Sequence, residues 1–315
     1  LADNGIFGKF SLQTGGTINL TNNDGFVDLN GATITITGGD FNVYGGTSDS
    51  YWPYGVASSI TMSDGTLNFA QTGIRVESAP ALTYNITGGT IKTAEDFSSY
   101  NSNFDPAGGT VELYGPDDAD LYLITGSTLY SVKINKGASS KEAGGGFQEI
   151  VRMDRETGKP IDDDGSRAQT VNLTNPATFN GNFTLSAGTF NSNNHTIQVK
   201  RNWTNNAGAG SFNPGTGRVI FNGGNYHQYC YNETFNILEV AKASGGSFRV
   251  NSGSVTCAQY DWTAGSIDVN TGTFTANDLY ENGLFGGFYV NPAGTINLYQ
   301  DIYQNTDLNG NITFT

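Results

Sequence analysis

Apolar and polar residues alternate along most of this chain, in short runs that a glycine-containing turn introduces. The stretches "GGTINL" (15–20), "GGDFNV" (38–43), "DGTLNF" (64–69), "GGTIKT" (88–93) and "GGTVEL" (108–113) share one phrase: a turn, a polar residue, then apolar, polar, apolar. The phrase returns as "AGTFNS" (187–192), "AGSFNP" (209–214), "GGSFRV" (245–250), "AGSIDV" (264–269) and "AGTINL" (293–298). Glycine supplies the turn, and the two-residue alternation after it predicts a short strand with one buried face. Successive phrases begin 23, 26, 24 and 20 residues apart in the first half, and 22 and 19 apart at two places in the second. No apolar stripe with the helical period runs through the chain, so helix is not predicted.

A period of 20–26 residues carrying about three short strands fits one coil of a parallel β-helix. Coils stacked at ~4.8 Å let each strand pair with its counterparts above and below. The handedness of parallel crossovers predicts a right-handed solenoid. In "TITIT" (33–37), Ile34 and Ile36 are expected to point inward and the threonines outward. Abundant Asn at the corners is expected to form inward hydrogen-bonded ladders, as stacked identical residues do.

A longer period overlies the first. "FDPAGGTVELYG" (104–115) recurs as "FNPGTGRVIFNG" (212–223), and more loosely as "VNPAGTINLY" (290–299). "STLYSVKINKG" (127–137) recurs as "ETFNILEVAKA" (233–243), so that Thr128, Leu129, Val132, Ile134 and Lys136 match Thr234, Phe235, Leu238, Val240 and Lys242. The offset is 108 residues for the first pair of segments and 106 for the second. Several coils therefore form one larger module, and the Pro-Gly turn is expected to mark the same corner in each copy.

The run "AGTF…HTI…NWTN…AGSFNPGTGRVIFNG…ETFNILEVAKA" resembles the repeat-rich parallel β-helix regions of very large bacterial surface and secreted proteins, adhesin-like chains common among those exported by the type IX route. The resemblance covers roughly residues 83–137 and 170–300. It implies a fold and an extracellular or cell-surface location more than an activity.

Composition agrees with a solvated β-protein. Gly (43), Asn (35) and Thr (36) supply 114 of 315 residues, and 38 aromatic side chains are enough to fill a long, narrow core. With 15 Lys+Arg against 29 Asp+Glu, the net charge of −14 argues against nucleic acid and against anionic membrane surfaces as partners. No stretch approaches the ~18 apolar residues of a membrane-spanning helix. Both ends, "LADNGIFGKF" and "NGNITFT", fall abruptly within the pattern, and the chain reads as a piece of a longer protein.

Residues 141–168, "KEAGGGFQEIVRMDRETGKPIDDDGSRA", break the pattern and hold 12 of the 44 charged residues. They are read as one irregular charged loop or junction between a β-helix over 1–140 and its continuation over 169–315. Asp162, Asp163 and Asp164 are a candidate Ca²⁺ site, because hard cations take clustered carboxylates. The alternating ligands and closing Glu of an EF-hand loop do not accompany them. No other cofactor is implied. Cys230 and Cys257 are either two buried free thiols or a disulfide between neighbouring coils.

Three functions suit a solenoid of this kind. The first is a structural or adhesive rod that holds carbohydrate weakly through aromatic clusters. Tyr51, Trp52 and Tyr54 in "SDSYWPYG", and Tyr226, Tyr229 and Tyr231 in "NYHQYCY", are its candidates, since flat rings backed by Asn and Asp suit sugar faces. The alternative is a polysaccharide lyase or glycoside hydrolase. A hydrolase needs paired carboxylates, for which Asp261 and Asp268 come from nearby coils. A lyase needs a basic residue beside a cation, and Arg218, Arg249 and Lys200 are the available bases. His195 and His227 stand alone in the sequence and are expected at surface or ladder positions. The third reading is ice binding through rows of outward Thr such as 33–37, which requires the row to repeat over many coils.

Overall fold

A computed structural model describes residues 9–21, 28–44, 49–53, 55–137, 169–243, 245–279, 284–299 and 309–314. The charged stretch 141–168, with Asp162, Asp163 and Asp164, lies outside the described residues, as does Tyr54. Among the described residues there is no helix, every strand pairing is parallel, and the coils stack as a β-solenoid of about 11 turns. The strands fall into four sheets of ten, seven, seven and five.

Register explains why this sequence closes on itself. Along the ten-stranded sheet, Phe41, Leu67, Ile91, Val111, Val132, Phe183 and Trp203 occupy one continuous inward ladder. All seven are buried. Each apolar residue of the turn-then-strand phrase thus meets its own counterpart one coil away. Aromatic neighbours stack along the axis, with Phe183 and Trp203 at 4.1 Å and Phe190 and Phe212 at 5.9 Å between ring centroids. Burying a side chain of this size contributes about 1.5–3 kcal/mol, and most of that depends on the coil above and below. Ile34 and Ile36 point inward as predicted, with Thr33 and Thr35 half-buried on the outer side.

Asn ladders form, but not as expected. Asn42 donates to Asn19 at 3.0 Å and Asn68 donates to Asn42 at 3.2 Å, all from outward strand positions. A second ladder, Asn251–Asn270–Asn291, follows the strand ends at a corner and is half-buried. An inward Asn would have to be satisfied within an apolar core, whereas an outward ladder satisfies half its groups along the axis and leaves the rest to water.

The module repeat also differs from expectation. Within each copy the pairing is preserved: Val111 faces Val132 and Leu113 faces Ile134, as Val219 faces Leu238 and Phe221 faces Val240. However, Thr110–Gly115 lies in the ten-stranded sheet, whereas Arg218–Phe221 lies in the seven-stranded sheet that begins at Ala177–Phe179. The Pro-Gly turn therefore does not mark the same corner twice. The second copy is laid on a different face of the rod, because one module is not a whole number of coils.

Candidate functional site

The fourth sheet is built from Gln228–Tyr229, Ser247–Val250, Ser266–Val269, Leu284–Val290 and Asn309–Phe314. Its strands alternate as elsewhere, with Phe248, Ile267 and Phe288 pointing inward and fully buried. Two outward columns result. One runs Tyr229, Arg249, Asp268, Tyr289; the other runs Ser247, Ser266, Gly287. A groove of about 460 Å³ opens over them, lined by His227, Ser247, Ser266, Asp268, Tyr289 and four glycines, Gly245, Gly246, Gly265 and Gly287. A Cβ at Gly245 or Gly287 would meet open space or only Ser266 Cβ at 3.8 Å, whereas one at Gly246 or Gly265 would press on Lys242 beneath. Tyr289 stands at its edge, 49% exposed.

The polar groups of the groove are connected. Ser247 Oγ lies 2.8 Å from Asp268 Oδ2 and 2.6 Å from His227 Nδ1. Arg249 Nε donates to the same carboxylate oxygen at 3.0 Å, and Ser266 Oγ donates to Asp268 Oδ1 at 3.3 Å. Hydrogen inventory orders this chain. An ionised carboxylate only accepts, so Ser247 gives its proton to Asp268 and must accept from His227. His227 then carries its proton on Nδ1, leaving Nε2 as an acceptor when the ring is neutral. Arg249, Asp268, Ser247 and His227 thus hold one another in place, with His227 itself exposed.

Beneath the floor lies Lys242, fully buried, with its ammonium donating to Gln228 Oε1 at 2.7 Å and 5.1 Å from the centre of the Tyr226 ring. Burial, reinforced by the nearby Arg201, lowers this amine to about 8. Gln228 is saturated: its amide nitrogen donates to the carbonyls of Val199 (2.8 Å) and Arg201 (2.5 Å), while its oxygen also accepts from Gly223 N–H at 2.9 Å. These contacts anchor the first strand of the fourth sheet to the coil before it.

The aromatic residues singled out from sequence divide between core and surface. Trp52 is not a surface ring. It is fully buried against Phe69 at 5.4 Å, because alternation along Ser50–Trp52 turns Ser50 and Trp52 inward and Tyr51 outward. Tyr51 is half-buried beside Arg75, whose guanidinium lies 5.2 Å from its ring centre and 4.1 Å from that of Tyr100; Tyr100 in turn packs on Tyr122 at 4.8 Å. Tyr226 is half-buried with Arg201 over its ring at 3.9 Å. Tyr231 is 40% exposed outside the groove lining. Tyr229 joins the groove column through Arg249, whose Nη1 lies 3.5 Å from its hydroxyl.

The remaining candidates separate as well. Cys230 and Cys257 are buried free thiols, so the disulfide alternative is not realised. Cys257 sits opposite Phe235 and Ala276, whereas the backbone of Cys230 bonds to Arg249 on the fourth sheet, so the two belong to different ladders. Asp261 and Asp268 are not paired: Asp261 is engaged by Arg218, and Asp268 by Arg249 on another sheet. His195 follows a turn, its N–H donating to the Ser192 carbonyl at 2.9 Å. Among the described residues, no group of three or more His, Cys, Asp or Glu is placed to hold a metal. The outward Thr row spans four coils, as Ser11–Thr35–Thr61–Asn85 beside Lys9–Thr33–Ser59–Thr83, so Lys and Asn interrupt it at either end.

Sequence reasoning missed Ser247, Ser266 and Tyr289. The available signal was spacing: Tyr229, Arg249, Asp268 and Tyr289 recur at 20, 19 and 21 residues, about one coil each. No family model, curated protein or solved structure matches this chain, so the chemistry of the site rests on its own residues.

Proposed function

We propose that the chain is a stiff β-solenoid segment of a large extracellular bacterial protein and that it holds carbohydrate through the groove of the fourth sheet. The observation that carries the reading is one exposed aromatic ring, Tyr289, beside a hydrogen-bonded polar array over a glycine floor. A sugar offers an apolar face to a ring and hydroxyls to fixed donors and acceptors, and this surface supplies both. The acidic, Asn- and Thr-rich composition supports an extracellular setting, and stacked coils support a rod that lengthens by duplication.

Polysaccharide retention tests the proposal. The immobilised chain is expected to retard soluble polysaccharides, and the double variant His227→Ala/Tyr289→Ala to lose that retardation. Tyr51→Ala should leave it intact, since that ring packs against Arg75 on a different sheet. The opposite pattern would move the site. Release of reducing ends or unsaturated sugars during the same incubation would favour the lyase or hydrolase alternative.

A further inference from the structure

We infer that the groove selects an uncharged glycan over a polyuronate or a sulfated chain, an inference that rests on the carbohydrate reading above and adds the ligand's charge. The lining residues include one carboxylate, Asp268, and neither Lys nor Arg. The nearest cation, Arg249, is paired with that carboxylate at 3.0 Å. The next, Lys242, is fully buried below the floor with its ammonium on Gln228. The groove therefore presents no surplus positive charge, on a chain whose net charge is −14. An anionic sugar reaching the remaining N–H groups of Arg249 would meet a guanidinium whose charge Asp268 already offsets, and would lie beside that half-buried carboxylate as a second negative charge.

An uncharged sugar meets no such conflict. Its hydroxyls donate to His227 Nε2 and to Asp268 Oδ1, which accepts one hydrogen bond from Ser266 and has room for another. Its apolar face rests on Tyr289. Gly287, in register with Ser266 and two residues before Tyr289, keeps the space beside the ring open. A Cβ added at Gly287 would meet only Ser266 Cβ, at 3.8 Å, so this position accepts a side chain without a clash.

The test is calorimetry and glycan-array binding of the full chain against uncharged probes (a mannan, a β-glucan, a galactan) and anionic ones (polygalacturonate, alginate, a sulfated galactan). Binding is expected on at least one uncharged probe and on none of the anionic ones. Tyr289→Ala and Gly287→Val should each weaken it about tenfold, with thermal unfolding unchanged. Asp268→Asn frees Arg249 and should let polygalacturonate bind. Wild-type affinity for an anionic probe that falls with salt would overturn the charge inference while leaving the carbohydrate reading standing. Silence on every probe would overturn the carbohydrate reading itself. Should Gly287→Val unfold, Tyr289→Ala, altered only at an exposed ring, still decides the matter.

Discussion

Lys136 and Lys242 occupy the same place in the two copies of the module, and both are fully buried, yet their ammonium groups are satisfied differently. Lys136 donates directly to the carbonyls of Ala94 and Tyr114, both at 2.8 Å. Lys242 donates to a side chain, Gln228, which itself takes the carbonyls of Val199 and Arg201. The neighbours differ too: Asp96, Glu95 and Asp118 act on Lys136, Arg201 on Lys242. In the first copy the stretch after the corner is "PDDADLYLITG" (116–126); in the second it is the shorter "GNYHQYCYN" (224–232), which accounts for the change of offset from 108 to 106. A buried amine thus serves as a corner fastener that tolerates replacement of its acceptors. The second copy uses that tolerance to start a new sheet, and the groove opens on that sheet.

The largest effect is expected on removing Gln228, which links Lys242 to the backbone carbonyls. Gln228→Leu removes the hydrogen bonds to the Lys242 ammonium, the Gly223 N–H and the carbonyls of Val199 and Arg201, of which Val199 keeps the Asn222 N–H, and is expected to cost roughly 3–5 kcal/mol in denaturant unfolding. The double variant Gln228→Leu/Lys242→Met should recover part of the loss, since the uncompensated charge is gone. Additive costs would show that the two side chains do not act together.

A smaller, symmetrical effect is expected at the glycines packed on the lysines. Gly188 and Gly265 have φ of +80° and +91°, and a Cβ at either would press on the Cβ of Lys136 or Lys242. Gly188→Ala and Gly265→Ala should each cost about 2–3 kcal/mol, combining backbone strain with overpacking. A large inequality between them would mean that the two corners are not equivalent.

The strand alternation was legible because burial on one face leaves a two-residue period in the text: Val111 and Leu113, or Val219 and Phe221, are inward as read. The Lys136/Lys242 match was legible as a repeat but not as burial, since lysine is seldom buried and its acceptors lie up to 42 residues away. The change of face was hidden because repeat spacing gives order along the chain, not the number of sides passed. Trp52 misled through its loop-like setting beside Pro53, although two adjacent strand residues cannot both face outward. The groove was hidden because it takes residues from successive coils that only register brings together.

The buried ionisable groups of the two copies also set a pH dependence of stability. Burial lowers Lys136 and Lys242 from 10.5 to about 8, so each binds its proton less readily folded than unfolded. Their contribution to stability is fully present above pH 10.5 and is lost as pH falls through 8, which makes stability rise from pH 8 until, above about pH 9, the buried thiols Cys230 and Cys257, held protonated by burial, offset it. Carboxyls act oppositely. Glu233, which stands where the first copy has Ser127, is raised by burial from 4.5 to about 7 despite hydrogen bonds from Trp203, Thr234 and Asn205. Asp28 is raised from 3.8 to about 6, again by burial. Their contribution is full below pH 4 and is lost as pH rises through 6 and 7. Unfolding free energy is therefore expected to pass through a minimum between pH 7 and 8, each group changing it by at most about 1.4 kcal/mol per pH unit. Lys136→Met or Lys242→Met should flatten the alkaline limb, and Glu233→Gln the acidic one. A single maximum near neutrality would contradict the burial of these groups.

The smallest expected difference lies on the outer surface, where the two copies exchange the sign of a matched position. Lys133, on the later strand of its copy, pairs with Glu112 at 2.9 Å. The residue matching Lys133 is Glu239, which pairs with Arg218 on the earlier strand at 2.5 Å. Arg218 also engages Asp261 one coil further on, so it ties three coils where Lys133 ties two. Exposed pairs are generally worth about 0–1 kcal/mol, and a planar guanidinium shared between two carboxylates belongs at the upper end of that range. Lys133→Ala is therefore expected to cost under about 0.5 kcal/mol, and Arg218→Ala about 1 kcal/mol or slightly more, because it leaves Glu239 and Asp261 as neighbouring like charges. The excess should shrink in ~1 M salt, where the screening length falls to about 3 Å. Equal costs at low salt would show that Arg218 gains nothing from its second partner and that the exchanged sign at this position has no effect on how the coils hold together.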